Sequence, residues 1–376
     1  MTTVPALRTD KMVVERQRAG NVFSVMDGDY IGRESGRGKV ALELPQIPLV
    51  DIRNGSPLDL LARYPEKARS LAKATTDTFG LASQIGARVA FPYLDRASRR
   101  WLERTDNPYR TEIDAFQSLL GIRGVHALNV CFEWGCTSGA FRTGEGMALR
   151  RVLDWRFPAL GANVVVAHQS GPAGEFYNVT WPATSGIYHG LAPGRFAAAI
   201  NQAPMRRHGK HILLDWTANR IAVKRGGGLP AAHLLRRTFE QAPNYDAAKA
   251  ILCTEPIAVP AIFILAGVND GCVIERTEQD YAVREMSGDR VCATNHFESR
   301  LNGAAWRWHP RSHDSLDRLQ CACDLARGEI ESAFDWFKPP IANPTSRVVL
   351  SANPMQGSLA VVGVEGERPV TQVFCN

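Results

Sequence analysis

Apolar residues recur at helical spacing through the first third of the chain and at strand spacing through much of the remainder. Ser56-Pro57 offers a capping residue followed by proline at a first helical position. After the Tyr64-Pro65 break, Ala68, Leu71, Ala72, Thr75 and Phe79 mark one face of a second helix, and Leu94, Ala97 and Trp101 one face of a third. Arg96, Arg99, Arg100 and Arg104 dress that third helix on its solvated side. Thr111 with Asp114 three residues on reads as a capping box, opening a helix through Ile113, Phe116, Leu119 and Leu120. An apolar run over 125–132 then leads into Cys136.

Beyond that point the pattern predicts strands over 163–166, 176–181 and 195–200. The first two are joined through Ser170-Gly171-Pro172-Ala173-Gly174, and Pro193-Gly194 opens the third. Asn269-Asp270-Gly271, between apolar runs at 261–265 and 272–276, is a hairpin signal. Helices are expected over 230–241, from a cap at Asn244, and over 314–331, and strands return over 346–374. The polar stretch 33–39 reads as a loop. Strands and helices gathered in separate runs suit an α+β fold of two stacked antiparallel sheets covered by helices.

Composition narrows the classes. A chain of 376 residues with 45% hydrophobic and 22% charged residues is an ordinary globular one, long enough for a large core. The net charge of +6 is spread evenly: residues 1–135 carry 19 Lys/Arg against 16 Asp/Glu, and the remainder has the same excess of three. The densest basic cluster, 205–211, is short and reads as a loop, so no nucleic-acid partner is expected. Eight cysteines in so long a chain do not make a disulfide scaffold. The N-terminal Met-Thr-Thr-Val-Pro-Ala-Leu-Arg lacks the apolar run of a signal peptide, and no stretch of about 18 apolar residues could span a membrane. The expectation is a cytoplasmic protein with reduced thiols. No cofactor or metal motif is present: Cys321-Ala322-Cys323 lacks zinc-ligand spacing and reads as core thiols near a helix, and Arg225-Gly226-Gly227-Gly228 lacks the Gly-Lys-Ser/Thr of a phosphate loop.

The chemistry centres on Glu133-Trp134-Gly135-Cys136-Thr137-Ser138-Gly139. A thiol needs a base within reach, and a cysteine freed at a new N-terminus carries one in its own α-amine, whose pKa of roughly 7.7–8.0 suits a general base. Gly135 leaves the preceding carbonyl open to attack, so Gly135–Cys136 is the candidate cleavage site. If the turn Thr143-Gly144-Glu145-Gly146 closes a hairpin, facing residues have numbers summing to about 289 and Cys136 lies opposite position 153. Arg151 and Asp154 then arrive beside the thiol. Arg150 is a rival for the role of Arg151, since neighbouring strand residues point to opposite faces.

Cys136-Thr137-Ser138, the hairpin and Arg151-Val152-Leu153-Asp154-Trp155 resemble the signature of the N-terminal nucleophile amidases that include acid ceramidase, N-acylethanolamine acid amidase, bile salt hydrolase and penicillin acyltransferase. Further stretches are similar in the same order: Asn178-Val179-Thr180-Trp181-Pro182, Ala199-Ile200-Asn201, the run from Leu229-Pro230 to Glu240, Thr294-Asn295-His296-Phe297, and Asp314 to Arg318. The resemblance implies an αββα sandwich, with Asn201 and Asn295 serving the oxyanion and the amine. It implies that His296 supports the site and is not its base. Asp154 is expected to hold the freed amine toward the thiol and Arg151 to favour the thiolate. Arg318 is expected to anchor a substrate carboxylate or to brace Asn295. Gln169 and Glu175 are candidates for substrate contact. His168 and His189 are set aside as bases.

The expected protein is an amidase that cuts itself into a mainly helical part, 1–135, and a catalytic part, 136–376, which stay associated within one compact unit. Cys136 would attack a linear amide of a small N-acyl substrate and pass through a thioester. Acyl transfer to an amine is the alternative outcome, a non-catalytic scaffold and an intact-chain Cys-His hydrolase are other classes, and homo-oligomerisation is open.

Overall fold

The computed structural model describes residues 43–77, 81–131, 134–301, 305–307, 314–325 and 333–376, and the side chains of 76–91 are not among the features described. The expected loop at 33–39, Glu133 and the end of the last predicted helix lie outside these residues. The first described part holds strand β1 (Leu49–Asp51) and helices α1 (Pro57–Arg63), α2 (Pro65–Asp77), α3 (Leu81–Arg104), α4 (Arg110–Leu120) and α5 (Val125–Asn129). Ser56 caps α1 as its spacing predicts: its side chain accepts from Leu58 N–H while Asp59 reaches back to the Ser56 N–H. The box expected at Thr111 is not formed. Helix α4 starts two residues earlier, with Tyr109 at the cap position and no side-chain cap bond. Tyr109 is held instead by Asn107, which accepts its backbone N–H, so the turn before the helix is already satisfied.

The rest of the chain runs β2 (Gly135–Thr143), β3 (Gly146–Asp154), α6 (Leu160–Asn163), β4 (Val165–Gly171), β5 (Gly174–Thr180), β6 (His189–Ala192), β7 (Phe196–Gln202) and β8 (Met205–Arg206). Helices α7 (Ile212–Arg225), α8 (Ala231–Gln241) and α9 (Tyr245–Thr254) follow. Then come β9 (Ala261–Gly267), β10 (Gly271–Arg276), β11 (Tyr281–Glu285), β12 (Arg290–Ala293), β13 (Trp306–Arg307) and α10 (Ser315–Asp324). The tail adds β14 (Ser346–Asn353), β15 (Ser358–Glu365), β16 (Arg368–Pro369) and β17 (Phe374–Cys375). The strand expected over 163–166 begins two residues late, because Leu160–Asn163 makes a helical turn first. Cys323, expected in the core, is exposed on α10, while Cys321 is half-buried.

Two sheets are stacked. The first has the order β1-β4-β5-β6-β7-β9-β10-β11, and the second β12-β2-β3-β14-β15-β16 with β17 on β15. Pairing is antiparallel except that β1 runs parallel to β4, so the N-terminal part donates an edge strand to the first sheet. Inward residues of β2 and β3, among them Cys136, Ala140, Leu149 and Leu153, join Ile200, Ile262 and Ile264 of the other sheet in one large core. Helices α8 and α9 lie against the first sheet, and α10 and α6 against the second. The outer residues Phe141 and Val152 pack there with Leu319, Trp336 and Phe337 in a separate apolar cluster. The result is the expected αββα layering, with the hairpin β2–β3 at its centre.

Candidate active site

The β2–β3 hairpin has the expected register. Gly135 faces Asp154, Cys136 faces Leu153, and Thr143 closes on Gly146. Period-two alternation then separates the two arginines. Arg151 lies on the inner face and is fully buried, whereas Arg150 lies on the outer face over the Phe141 ring. The guanidinium Nη2 of Arg151 donates to the Cys136 thiol at 3.0 Å, and its Nη1 donates to the Ile200 carbonyl at 2.5 Å and to Asn201 Oδ1 at 3.2 Å.

Asn201 and Asn295 come from opposite sheets. Asn201 sits near the end of β7, and Asn295 two residues past the end of β12. Asn295 Oδ1 accepts from the Cys136 backbone N–H at 3.0 Å, and its amide nitrogen donates to the Gln202 carbonyl. The Asn201 amide nitrogen donates to the carbonyls of Ala293 and Thr294, while its oxygen also accepts from Ser138 Oγ. Asn201 thus commits both of its amide hydrogens to backbone carbonyls, so an oxyanion role for it requires one of those bonds to be given up, whereas Asn295 commits one of its two to Gln202.

Arg318, on α10, is buried and braces the site. It donates to the Cys136 carbonyl at 2.5 Å, to Thr137 Oγ1 at 2.9 Å and to Asn295 Oδ1 at 2.9 Å. Of the two roles expected for it, the bracing of Asn295 is the geometry observed. Asp154 lies 3.7 Å from Arg318 Nη1 and accepts from Ser346 Oγ at 2.8 Å. A Cβ placed on Gly135 would come within 3.2 Å of the Asp154 Cβ, so the absence of a side chain there is what lets the 135–136 peptide lie against this carboxylate.

Burial dominates the electrostatics. It pushes the Cys136 thiol up to about 11, against the opposing pull of Arg151 and Arg318 and with some help from Asp154. It raises the Asp154 carboxyl as well, although Arg318 and hydrogen bonds to that carboxylate work the other way. The result is a neutral, shielded thiol beside a buried arginine.

The histidines set aside as bases stay aside. His296 Nδ1 shares a hydrogen bond with Ser315 Oγ, which also accepts the Asn295 N–H and so fixes the Thr294-Asn295-His296 turn. His168 stacks on Tyr177 and pairs with Glu175. Buried His189 is kept neutral by desolvation and by Arg151. The thiol's hydrogen-bond partners are Arg151 and the Ile200 carbonyl. Gln169 accepts from Asn178, and Glu175 pairs with Arg53, so neither reaches the Cys136 cluster through these bonds.

Sequence reasoning gave no role to the supporting hydroxyls of Ser138 and Ser315, which lie within stretches that carry the resemblance, and missed Ser346. It also missed the aromatic group beside Gly135, where Trp134 packs against Trp155 and Tyr188 with ring centroids 5.6 and 4.9 Å apart. Period-two alternation could have placed Ser138 beside Cys136; nothing local marks the others. An apolar cavity of about 100 Å³ opens next to these rings, lined by Leu71, Leu120, Trp155, Leu160, Trp181 and Tyr188. Among the described residues, no cluster of His, Cys, Asp and Glu is arranged to hold a metal, and no helix is long and apolar enough to cross a membrane.

A thiol at the head of a central strand of an αββα sandwich, with its own backbone nitrogen held by a neighbouring side chain, is the arrangement that the resemblance to the N-terminal nucleophile amidases implies. No protein-family model matches the chain. Over 97 residues, 25% of the chain, it is 32% identical to acid ceramidase of Heterocephalus glaber, 23% of which is covered. Over 93 residues it is 31% identical to acid ceramidase of Balaenoptera acutorostrata scammoni, 22% of which is covered. The chain thus matches less than a quarter of the length of either relative. Among solved structures it is similar to an N-acylethanolamine-hydrolyzing acid amidase ortholog of Caenorhabditis elegans, with 17% identity, TM-score 0.46, and 64% of this chain and 100% of that one covered. It is also similar to a mutant of the conjugated bile acid hydrolase of Clostridium perfringens, with 9% identity, TM-score 0.40, and 64% and 92% covered. The shared sequence is thus a stretch of about a quarter of the chain that is similar to acid ceramidase.

Proposed function

We propose that this chain is a self-cleaving cysteine amidase that hydrolyses a linear amide of a small N-acyl substrate. The observation that carries the reading is the environment of Cys136, whose thiol, backbone nitrogen and carbonyl are each held by a different side chain: Arg151, Asn295 and Arg318. In the uncut chain the thiol attacks the Gly135 carbonyl carbon and the bond to the Cys136 nitrogen breaks. Water then releases the 1–135 part from the resulting thioester. The freed α-amine becomes the base for the same thiol, and Asp154, facing Gly135 across the hairpin, is the carboxylate able to orient it.

In turnover the thiol attacks the substrate carbonyl, the amine half departs with a proton, and water completes hydrolysis of the acyl thioester. The raised thiol pKa fits a precursor held inactive until cleavage supplies the base. The apolar cavity beside Trp155 and Tyr188 suits an acyl group that carries no charge. The family relationship supports an amide in place of an ester or peptide, since the relatives' names are those of amidases and a ceramidase.

Intact mass and N-terminal sequencing of the purified protein beside Cys136→Ala test the proposal. Two chains in wild type, the second starting at Cys136, with the variant whole, is the expected result. A wild-type chain that stays whole through prolonged incubation from mildly acidic to neutral pH overturns it.

A further inference from the structure

Cys292 and Cys323 are absent from the chemistry above, yet they meet at a built place. Cys292 lies on β12 opposite Gly139 of β2, and its thiol would come within 2.9 Å of a Cβ on that glycine, so the lack of a side chain there makes room for the sulfur. Cys323 lies exposed on the last turn of α10. Cys292 and Cys323 line one open cavity of about 530 Å³ together with Arg284 and Arg290, close enough that each thiol shifts the titration of the other. Both arginines are fixed there: Arg284 donates to the Cys292 carbonyl at 2.9 Å, and Arg290 to the carbonyls of Cys323, at 3.1 Å, and Leu325.

We propose that Cys292 and Cys323 form a peroxide-sensitive dithiol which closes to a disulfide and ties α10 to β12. The inference does not rest on the reaction of Cys136. The asymmetry of the pair assigns the roles. The neighbouring Cys292 thiol holds Cys323 below the usual thiol range, while Cys323 and burial push Cys292 up. Of the two, Cys323 gives up its proton more readily, and it is also the thiol a small oxidant can reach. Its sulfur attacks one oxygen of a hydroperoxide, forming a sulfenic acid and releasing hydroxide (from hydrogen peroxide) or alkoxide (from an alkyl hydroperoxide), which takes up a proton. The Cys292 sulfur then attacks the Cys323 sulfur, the S–S bond forms, and the second hydroxide leaves as water with the Cys292 proton. Two thiols lose two electrons and two protons, and the peroxide is reduced to two waters, or to water and an alcohol.

The consequence lies in what the two elements carry. Helix α10 delivers Arg318 and β12 leads into Asn295, and the two residues are hydrogen-bonded to each other beside Cys136. A crosslink between α10 and β12 holds that contact closed.

The test is peptide mapping of the full-length protein after stoichiometric hydrogen peroxide, with free thiols alkylated before digestion. One tryptic peptide carries both Cys321 and Cys323, so the experiment is run in Cys321→Ser as well as in wild type. The expected result is a Cys292–Cys323 linked peptide, loss of alkylation at both positions, recovery of both on reduction with dithiothreitol, and none of this in Cys323→Ser. That variant changes an exposed side chain, so its fold is retained. Cys292 staying alkylatable while Cys323 is over-oxidised, or pairs with Cys321 or with a second copy of the chain, overturns the proposal.

Discussion

At the scale of single residues, Arg318 has the largest stake in the site. Its donors satisfy the Cys136 carbonyl, Thr137 Oγ1 and Asn295 Oδ1, and its charge faces Asp154, all in a dry environment. Removing one partner of such a buried set leaves the others uncompensated, which costs about 3–5 kcal/mol. Arg318→Ala is expected to lower unfolding stability by that much in denaturant titration, with Arg318→Lys recovering only part because an ammonium cannot copy the fork. A loss below about 1 kcal/mol would show that these bonds are not made in solution.

The Cys136 thiol gives a second residue-scale prediction. Its folded pKa near 11 lies above the ordinary 9.0, so its burial contributes fully below pH 9 and the contribution is lost as pH rises through 11. Iodoacetamide labelling of Cys136 in uncut chain, separated from cut chain on a denaturing gel, should therefore be slow at pH 7 and climb between 9 and 11. Cut chain should label at neutral pH, where the new amine acts as base. Equal labelling of the two species at pH 7 is the opposite outcome. The residues of this site were legible where they sit in one hairpin or in a compact motif such as Thr294–Phe297. The hydroxyls of Ser315 and Ser346 were not, since each meets its partner only across elements distant in sequence.

At the scale of elements, local pattern carried furthest where the turn chemistry is explicit. The four-residue turn at Thr143 fixed the whole β2–β3 register, and Asn244 caps α9 by accepting the Ala247 N–H as its position suggests. Helix α7 escaped notice for a physical reason. Its buried member is Asp215, while Leu213, Leu214, Trp216 and Ile221 face outward, so the usual apolar stripe is inverted. Packing of α6 against β15 is a feature no period reveals. A Cβ on Gly161 would lie 2.3 Å from the Val364 carbonyl oxygen and 2.8 Å from that of Arg347, and backbone cannot step aside as a side-chain tip can. Gly161→Ala is expected to destabilise by at least the roughly 1–3 kcal/mol of core overpacking, read as a lowered thermal midpoint. An unchanged midpoint would mean that α6 does not sit this close to β15.

At the scale of the whole molecule, strand order was beyond local reading. Neighbours such as β7 and β9, or β3 and β14, are separated by long stretches of chain, and their pairing is set by which faces can be buried together. The same long-range packing decides what happens after a cut at Gly135. Helix α4 and the turn before it are joined to α8 by a buried network: Arg236 forms a two-pronged pair with Glu112 at 2.7 and 3.1 Å, stacks over Tyr109, and also holds Glu240 and the Ser185 carbonyl. Tyr109 donates to Glu240, and Asn107 meets His233 at 3.0 Å. Beneath them Trp101, Leu102, Ile113 and Phe116 belong to the same apolar core as β2 and β3. None of these contacts depends on the 135–136 peptide bond. The two chains are therefore expected to co-elute in size-exclusion chromatography under native conditions and to separate only in denaturant. Arg236→Ala takes the guanidinium from the half-buried carboxylates of Glu112 and Glu240, leaving Glu240 with Tyr109, at a cost of about 1–3 kcal/mol. In that variant the helical chain should dissociate at a markedly lower denaturant concentration than in wild type. If wild-type chains already part in dilute buffer, the network does not hold the cut protein together, and residues 1–135 behave as a released pro-segment.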